Sequence, residues 1–282
     1  MARRQRREWA NATILDLGIM SVARLALTFA VIAVLGAMPA AIMAADWPTD
    51  PKLSGNASLP PGLITLQNDT SSSPITLYLD RGRTLWMDAS QGKSCADCHG
   101  PLTSMKTSAG SFPRLSAGSG KLINMEDQII TCRSRAGLAG DKLESEPILA
   151  LSSALHDAAK GQVIHVHAQP AQTTLWQEHL QTGAKLYTTR LGRMNLACAH
   201  CHDQNIGKQM RSDVISPANP TGFPIYRMSW QGMGSIDRRL RACYSGVQAT
   251  MPPAGDQTLR QLELYLKVRA QGLTVDGPSI RR

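Results

Sequence analysis

Aromatic residues are scarce in this chain of 282 residues, where Phe, Trp and Tyr together make up 5% of the sequence. No run of basic residues alternates with aromatic ones, which is the pattern of many nucleic-acid-binding surfaces. The sequence therefore gives no indication of nucleic-acid binding. The formal net charge is +9, and a positive charge of this size also suits the solvated surface of an ordinary secreted protein.

The N-terminal segment has the order of a secretory signal. Its first 24 residues are rich in arginine, whereas residues 25–45 are almost entirely apolar and end in small residues. We predict a signal peptide over residues 1–44. The alternative is an uncleaved membrane anchor, because about 21 helical residues reach about 31 Å. Cleavage would remove five arginines and two acidic residues and so lower the net charge to +6.

The six cysteines lack the spacing of a four-cysteine zinc site, in which C-x-x-C pairs usually stand about 15 to 20 residues apart. Here the pairs begin at residues 95 and 198, and each belongs to a C-x-x-C-H motif, Cys95–His99 and Cys198–His202. Such motifs attach c-type haem, with the histidine as the proximal iron ligand. We predict two covalently bound haem c groups, with zinc or disulfides as the alternatives. The attachment residues are Cys95, Cys98, Cys198 and Cys201.

The chain repeats itself around the two motifs. "GRTLW" and "SFPRL" flank the first, and "GAKLY" and "GFPIY" flank the second. Downstream, residues correspond at a constant offset of 111, so that Cys132 matches Cys243 within the same helical pattern. We predict helix N-caps at Asn124 and Ser235. Closing helices are predicted within residues 147–161 and 258–272, each ending at glycine.

The predicted fold is mainly α, with two tandem cytochrome c-like haem domains related by the internal repeat. Residues 45–74 are rich in Pro, Ser and Asn and are expected to form an extended lead-in. The first haem domain is predicted at residues 75–165 and the second at residues 166–282.

The sixth ligand of each iron is a choice between methionine and cysteine. Met251 stands in an "MPP" setting that suits an electron-carrying cytochrome c, but the first copy has no methionine in a matching setting. Cys132 and Cys243 occupy equivalent positions, and a core position rarely needs cysteine twice. We therefore predict both cysteines as iron ligands. The alternatives are packing as small apolar residues and a disulfide between them.

With two C-x-x-C-H motifs, a cysteine after each, and "DRRLRAC" before the second cysteine, residues 75–275 resemble the dihaem SoxA subunits of the SoxAX cytochromes. The resemblance implies an L-cysteine S-thiosulfotransferase in the periplasm of a sulfur-oxidising bacterium. It implies His99 and Cys132 as ligands of the first haem, and His202 and Cys243 as ligands of the second. It further implies that Cys243 is the catalytic, persulfide-bearing residue and that Arg239 contacts substrate.

The residues around Cys243 support this expectation independently. Arg239 lies four residues before Cys243 and so on the same helical face, where a guanidinium can bind a sulfonate-like group through two hydrogen bonds. At the offset of 111, Arg239 and Arg241 correspond to Gln128 and Ile130. Only the second copy has these arginines, and we predict the active site there, with Arg239 and Arg241 as substrate-binding residues. The alternative is ordinary surface charge or contact with haem propionates.

The implied reaction joins the sulfane sulfur of thiosulfate to a cysteine of a sulfur-carrier protein, while two electrons leave one at a time through haem. The resemblance implies a monohaem cytochrome subunit that forms a heterodimer with this chain and accepts the electrons. One rival is a dihaem electron-transfer cytochrome without sulfur transfer, which predicts Met251 on the second iron. Another is a dihaem peroxidase, which needs an open iron site, and two repeated cysteine ligands argue against it.

Overall fold

The computed structural model describes residues 50–138 and 140–282, and it confirms a mainly α fold. The predicted signal peptide, residues 1–44, lies outside the described residues. Within the described part of the chain, no helix is both long and apolar enough to cross a membrane. The helices are α1 (Pro61–Asn68), α2 (Ile75–Met87), α3 (Cys95–His99), α4 (Met125–Arg135), α5 (Glu146–Ala158), α6 (Thr173–Thr188), α7 (Cys198–His202), α8 (Ile236–Gly246) and α9 (Gln257–Arg269). The strands are β1 (Arg114–Leu115), β2 (Leu122–Ile123), β3 (Gln209–Met210), β4 (Asp213–Val214), β5 (Ile225–Arg227), β6 (Gly232–Gly234) and β7 (Ser279–Arg281).

Helices α2 and α5 pack closely in the first half of the chain, residues 75–165. A β-carbon added at Gly82 would lie 2.1 Å from the carbonyl oxygen of Ala150, so only glycine permits this approach of the two backbones. Leu85 and Trp86 of α2 are buried in one cluster with Leu151 of α5. This helix pair forms the wall against which the first motif packs.

Helices α6 and α9 make a similar contact in the second half, residues 166–282. A β-carbon at Gly183 would lie 2.1 Å from the carbonyl oxygen of Gln261, which is 111 residues after Ala150. Tyr187 of α6 and Leu262 of α9 are buried in one cluster. Each half therefore has a glycine-mediated helix pair next to its C-x-x-C-H motif.

The predicted N-caps are confirmed, whereas the closing helices end three residues before the predicted glycines, at Ala158 and Arg269. The Asn124 side chain caps α4 by accepting a hydrogen bond from the Asp127 N–H at 3.0 Å, and Ser235 caps α8 in the same way at 3.4 Å. The closing helices are α5 and α9. Beyond them the chain turns at Gly161 and Gly272, whose φ angles of 81° and 87° lie in the left-handed region that favours glycine.

The lead-in is not extended, contrary to the prediction. Gly55–Ser58 forms a 3₁₀ turn, and α1 follows with a proline as its first residue. Proline suits that position because its φ is already helical and the first helical N–H has no partner within the helix. Leu63 and Leu66 of α1 pack near Ile280 of β7. The turn-rich composition suggested a loop, but packing against the C-terminal strand favours a helix.

A small sheet brings the C-terminus back to the second half. Strand β5 pairs in parallel with β7 and antiparallel with β6. In this register Arg227, the last residue of β5, stands opposite Arg281.

One buried arginine connects α4 and α8, the two helices that carry the cysteines outside the C-x-x-C-H motifs. Arg260 of α9 is fully buried, and its Nε lies 2.6 Å from Oδ2 of Asp127 on α4. Its Nη1 lies 3.2 Å from Oδ1 of Asp237 on α8. A buried charge needs such partners because an unpaired one would be strongly destabilising. Arg260 thus fixes the helix of Cys132 relative to the helix of Cys243.

Candidate haem and sulfur site

The first C-x-x-C-H motif is the short helix α3, which begins with a capping box. Ser94 Oγ accepts a hydrogen bond from the Asp97 N–H at 3.1 Å, and Asp97 Oδ2 accepts one from the Ser94 N–H at 2.8 Å. Both bonds satisfy N–H groups that lack partners at a helix start. The local sequence "SCAD" therefore folds the two attachment thiols into one helical turn.

An aromatic side chain anchors the residue after the histidine in each motif. Trp86 Nε1 donates a hydrogen bond to the carbonyl of Gly100 at 2.9 Å, directly after His99. In the second half, the Tyr187 hydroxyl donates to Oδ1 of Asp203 at 2.8 Å, directly after His202. Each motif is thereby fixed to the long helix that precedes it.

Cys132 lies in the same cleft as the first motif. The cleft has an empty volume of about 430 Å³ and is lined by Cys95, Cys98 and His99 of α3 and by Cys132 of α4. Burial raises the pKa of Cys95. The positive charge of Arg133 lowers this pKa, and the negative charge of a Cys132 thiolate would raise it. Two attachment thiols, an imidazole and a further thiol in one cleft fit a haem c group.

In the second motif, helix α7, hydrogen bonds assign different roles to the two histidines. His200 Nδ1 accepts from the Ala197 N–H at 2.8 Å, so this side chain caps the helix. His202 Nδ1 donates to the carbonyl of Ser216 at 2.6 Å, which leaves Nε2 with a free lone pair. Burial lowers the pKa of His202 and so favours the neutral imidazole, the form that binds a metal.

Cys243 lies beside the second motif. Its neighbour Tyr244 is buried in the same apolar cluster as Cys198. Burial raises the pKa of Cys198 to about 11, and the charge of Cys243 raises it further. The structure contains no disulfide between Cys132 and Cys243. Met251, the rival ligand, lies in the loop after α8 and is 46% exposed.

The two predicted substrate-binding arginines differ in position. Arg239 lies one helical turn before Cys243. Burial lowers the pKa of His202, and the positive charge of Arg239 lowers it further. Arg241 lies two residues before Cys243 and so on another side of α8. Its Nε donates to the carbonyl of Pro252 at 3.1 Å, which holds the loop that follows α8.

Sequence analysis missed Arg227 and Arg281. Burial, followed by the charge of Arg239, lowers the pKa of Arg227, whereas the charges of Asp213 and Cys243 raise it. Its Nη2 also lies 3.3 Å from Oδ2 of Asp213. Burial lowers the pKa of Arg281 to about 10, and the charges of Arg239 and Arg227 lower it too. The arginines of β5, β7 and α8 therefore form one cationic group around the second site.

A sequence pattern could have found Arg227 but not Arg281. At the offset of 111, Arg227 corresponds to Ser116, so the comparison that singled out Arg239 also distinguishes Arg227. Arg281 has no comparable sequence pattern, because only the pairing of β7 with β5 brings it close.

The chain is similar to known proteins. The family model described as "SoxA/TsdA, cytochrome c domain" matches residues 81–164. The L-cysteine S-thiosulfotransferase subunit SoxA of Pseudaminobacter salicylatoxidans is 36% identical over 76% of this chain and 75% of its own length. The subunit of the same name from Paracoccus pantotrophus is 33% identical over 77% of this chain and 74% of its length.

A solved structure is also similar. A chain of the crystal structure of SoxXA from P. pantotrophus superposes with a TM-score of 0.74 and 31% sequence identity. The match covers 81% of this chain and 86% of that chain. The matched cytochrome c domain contains the first C-x-x-C-H motif, and haem c is therefore the cofactor of this protein.

Proposed function

We propose that this chain, which belongs to the family of SoxA subunits of L-cysteine S-thiosulfotransferases, conjugates thiosulfate to a cysteine of a sulfur-carrier protein. The proposed site of this reaction is the second C-x-x-C-H motif. The chain is a thiosulfate-oxidising c-type cytochrome. The observation that supports the finer proposal is the position of Cys243 beside the second motif with Arg239 one turn before it. At the equivalent point the first half has Cys132 preceded by Gln128.

Two haem c groups are part of the proposal, each attached through the thiols of one motif. His99 and Cys132 would ligate the first iron, and His202 and Cys243 the second. We place the groups in two tandem cytochrome c-like domains, residues 75–165 and 166–282, of which the second is catalytic. The equivalent positions of the glycine-mediated helix pairs, the aromatic anchors and the N-caps support a repeat.

The proposed reaction balances as RSH + S₂O₃²⁻ → RS–SSO₃⁻ + H⁺ + 2e⁻, where RSH is the carrier thiol. The Cys243 sulfur first bonds to the outer sulfur of thiosulfate, and two electrons are released. The carrier thiol then loses its proton and attacks that outer sulfur, which breaks its bond to Cys243 and restores the Cys243 thiolate. Haem c, when bound, supplies a one-electron acceptor next to this sulfur.

The chain's own residues prepare the substrate for this exchange. The Arg239 guanidinium can bind the sulfonate end through two parallel hydrogen bonds, and Arg241 adds positive charge at the loop after α8. Arg227 adds further positive charge from the sheet side. The carbonyl of Ser216 keeps His202 in the tautomer that can bind iron. We also propose that Cys243 carries an additional sulfur as a persulfide. The outer sulfur of that persulfide then replaces the Cys243 sulfur in both steps, and the persulfide anion is restored at the end with the same balance of charge and electrons.

A monohaem cytochrome subunit is the proposed partner and electron acceptor. The similarity to a chain of the SoxXA structure supports a heterodimer of this kind. We place the complex in the periplasm, consistent with the predicted signal peptide.

The test uses the purified complex of this chain with its monohaem partner, together with reduced carrier protein, thiosulfate and oxidised cytochrome c. We expect mass spectrometry to find one thiosulfate added to the carrier cysteine for every two electrons accepted. Low-temperature EPR with near-infrared magnetic circular dichroism should give histidine–thiolate signatures for both ferric haems.

Two results would contradict the proposal. A histidine–methionine signature on the second haem would assign that iron to Met251 and leave an electron-transfer cytochrome. If both haems have thiolate ligands but the carrier gains no thiosulfate, the proposed transferase reaction is excluded and the proposed ligation stands.

A further inference from the structure

A hydrogen bond reaches the sulfur of Cys132 from the side chain one turn earlier on α4. Gln128 Nε2 lies 3.1 Å from Cys132 Sγ. The other end of the same amide is also bonded, because Arg114 Nη2 lies 2.9 Å from Gln128 Oε1. A guanidinium can only donate hydrogen bonds. The oxygen of the amide must therefore face Arg114, and its NH₂ group must face the sulfur.

The position of Arg114 is itself held by the local fold. Arg114 belongs to β1, which pairs with β2 immediately before the start of α4, with Arg114 opposite Ile123. Its guanidinium lies over the ring of Phe112, 4.5 Å from the ring centroid, a cation–π contact. These contacts fix the cation where it can orient the Gln128 amide.

The second half has a different pair at the same two positions. At the offset of 111, Arg114 corresponds to Ile225 and Gln128 to Arg239. The first cysteine thus has a neutral donor with a cation behind it, whereas the second has the cation itself one turn away. Both positions change together, as expected if they act as one unit.

We propose that Gln128, oriented by Arg114, is a positioning residue that stabilises Cys132 as a thiolate ligand and raises the reduction potential of the first haem. The inference rests on the proposed ligation of that haem by Cys132. A hydrogen bond to a coordinating sulfur withdraws electron density from it, and weaker donation from the sulfur destabilises the ferric form relative to the ferrous form. Because the donor is uncharged, the same arrangement does not create an anion site beside Cys132, which distinguishes the first haem from the proposed catalytic second one.

The test is a potentiometric titration of the holoprotein, followed by EPR of each ferric haem. Gln128→Leu removes the donor, and we expect the potential of the first haem to become more negative and its EPR g-values to shift. The second haem should keep its potential and spectrum. Gln128→Glu keeps the shape and the contact with Arg114 but replaces the donor with an anion, and it should shift the potential further in the same direction.

Two further variants separate a hydrogen-bonding role from a structural one. Arg114→Met leaves Gln128 in place and should give a smaller negative shift. Ser134→Ala, at an exposed position of the same helix, should leave both potentials unchanged.

The outcomes distinguish this inference from the proposed function. If the unmutated protein shows no thiolate on the first haem, the ligation by Cys132 and this inference are both overturned. If it shows that thiolate but Gln128→Leu and Gln128→Glu leave the first potential unchanged, only the role of Gln128 is overturned.

Discussion

Arg239 and Gln128 occupy the same point of the chain's repeat, one helical turn before a cysteine. The amide of Gln128 contacts its cysteine directly, at 3.1 Å. The guanidinium of Arg239 instead adds positive charge to surroundings that include His202 and Arg227. An amide stabilises a bound sulfur, whereas a guanidinium can also bind a substrate anion. At the scale of single residues, this difference separates the proposed roles of the two sites.

Arg239→Gln tests that difference in the second half. We expect kcat/KM for thiosulfate conjugation to fall about 10- to 100-fold, because a hydrogen bond to a charged group contributes about 1.5–3 kcal/mol. Arg227→Gln should give a smaller loss, since its Nη2 is already paired with Asp213. Rates are measured with the complete complex, and EPR verifies that the haem ligation is the same as in the unmutated protein.

Arg135→Gln is the matched control for these variants, because it removes an exposed charge at the end of α4. It should leave kcat/KM unchanged. An Arg239→Gln protein as active as the unmutated one would exclude Arg239 from substrate binding.

At the scale of elements, two helix pairs hold the motifs. Helices α2 and α5 approach at Gly82, and α6 and α9 approach at Gly183. The anchors Trp86 and Tyr187 lie four residues after these glycines, on the same helices. A change in helix separation would therefore move the chain directly after the histidine of each C-x-x-C-H motif.

Gly82→Ala and Gly183→Ala should each destabilise the protein. The added β-carbon would lie 2.1 Å from a backbone oxygen in either case, and such overpacking costs about 1–3 kcal/mol or more. The measurement is urea-induced unfolding of the holoprotein, followed by far-UV circular dichroism. Gly62→Ala is the control, because a β-carbon there meets nothing within 4 Å, and it should keep or raise stability. Unchanged stability of Gly82→Ala would contradict the close packing of α2 on α5.

At the scale of the whole molecule, Arg260 determines how α4 and α8 lie relative to each other. It is fully buried and binds Asp127 and Asp237, which belong to the helices of Cys132 and Cys243. Asp127 and Asp237 are in the first turns of their helices, where negative charge is also favourable. A single side chain thus connects the two proposed haem sites.

Arg260→Leu should destabilise the protein by about 3–5 kcal/mol, because it leaves carboxylates without their buried partner. Urea unfolding measures the loss. Arg83→Leu, which removes an arginine with a half-exposed side chain from surface ion pairs, should cost less than about 1 kcal/mol. Adding Asp127→Asn and Asp237→Asn to Arg260→Leu should recover part of the stability. Equal stability of the Arg260→Leu and Arg83→Leu proteins would show that the buried network does not hold the halves together.

Much of this architecture could be predicted from sequence, because it depends on local rules. The spacing within each C-x-x-C-H motif, the caps at Asn124 and Ser235 and the glycines that follow α5 and α9 each involve residues only a few positions apart. The repeat of Cys132 and Cys243 at one offset also predicted their proximity to the motifs, since equivalent positions in equivalent helices face the same way.

The amino-acid sequence by itself determined the two C-x-x-C-H motifs, the N-caps at Asn124 and Ser235 and the spacing of Arg239 and Cys243 by one helical turn. Only the tertiary structure decided that residues 61–68 form a helix, that Arg227 and Arg281 join Arg239, and that Arg114 orients Gln128 toward Cys132. These features depend on contacts between segments far apart in the chain, such as β7 on β5. Periodicity and capping depend on residues that are close together in the chain, so they can be read from the sequence. The position of a distant strand depends on the packing of the whole core.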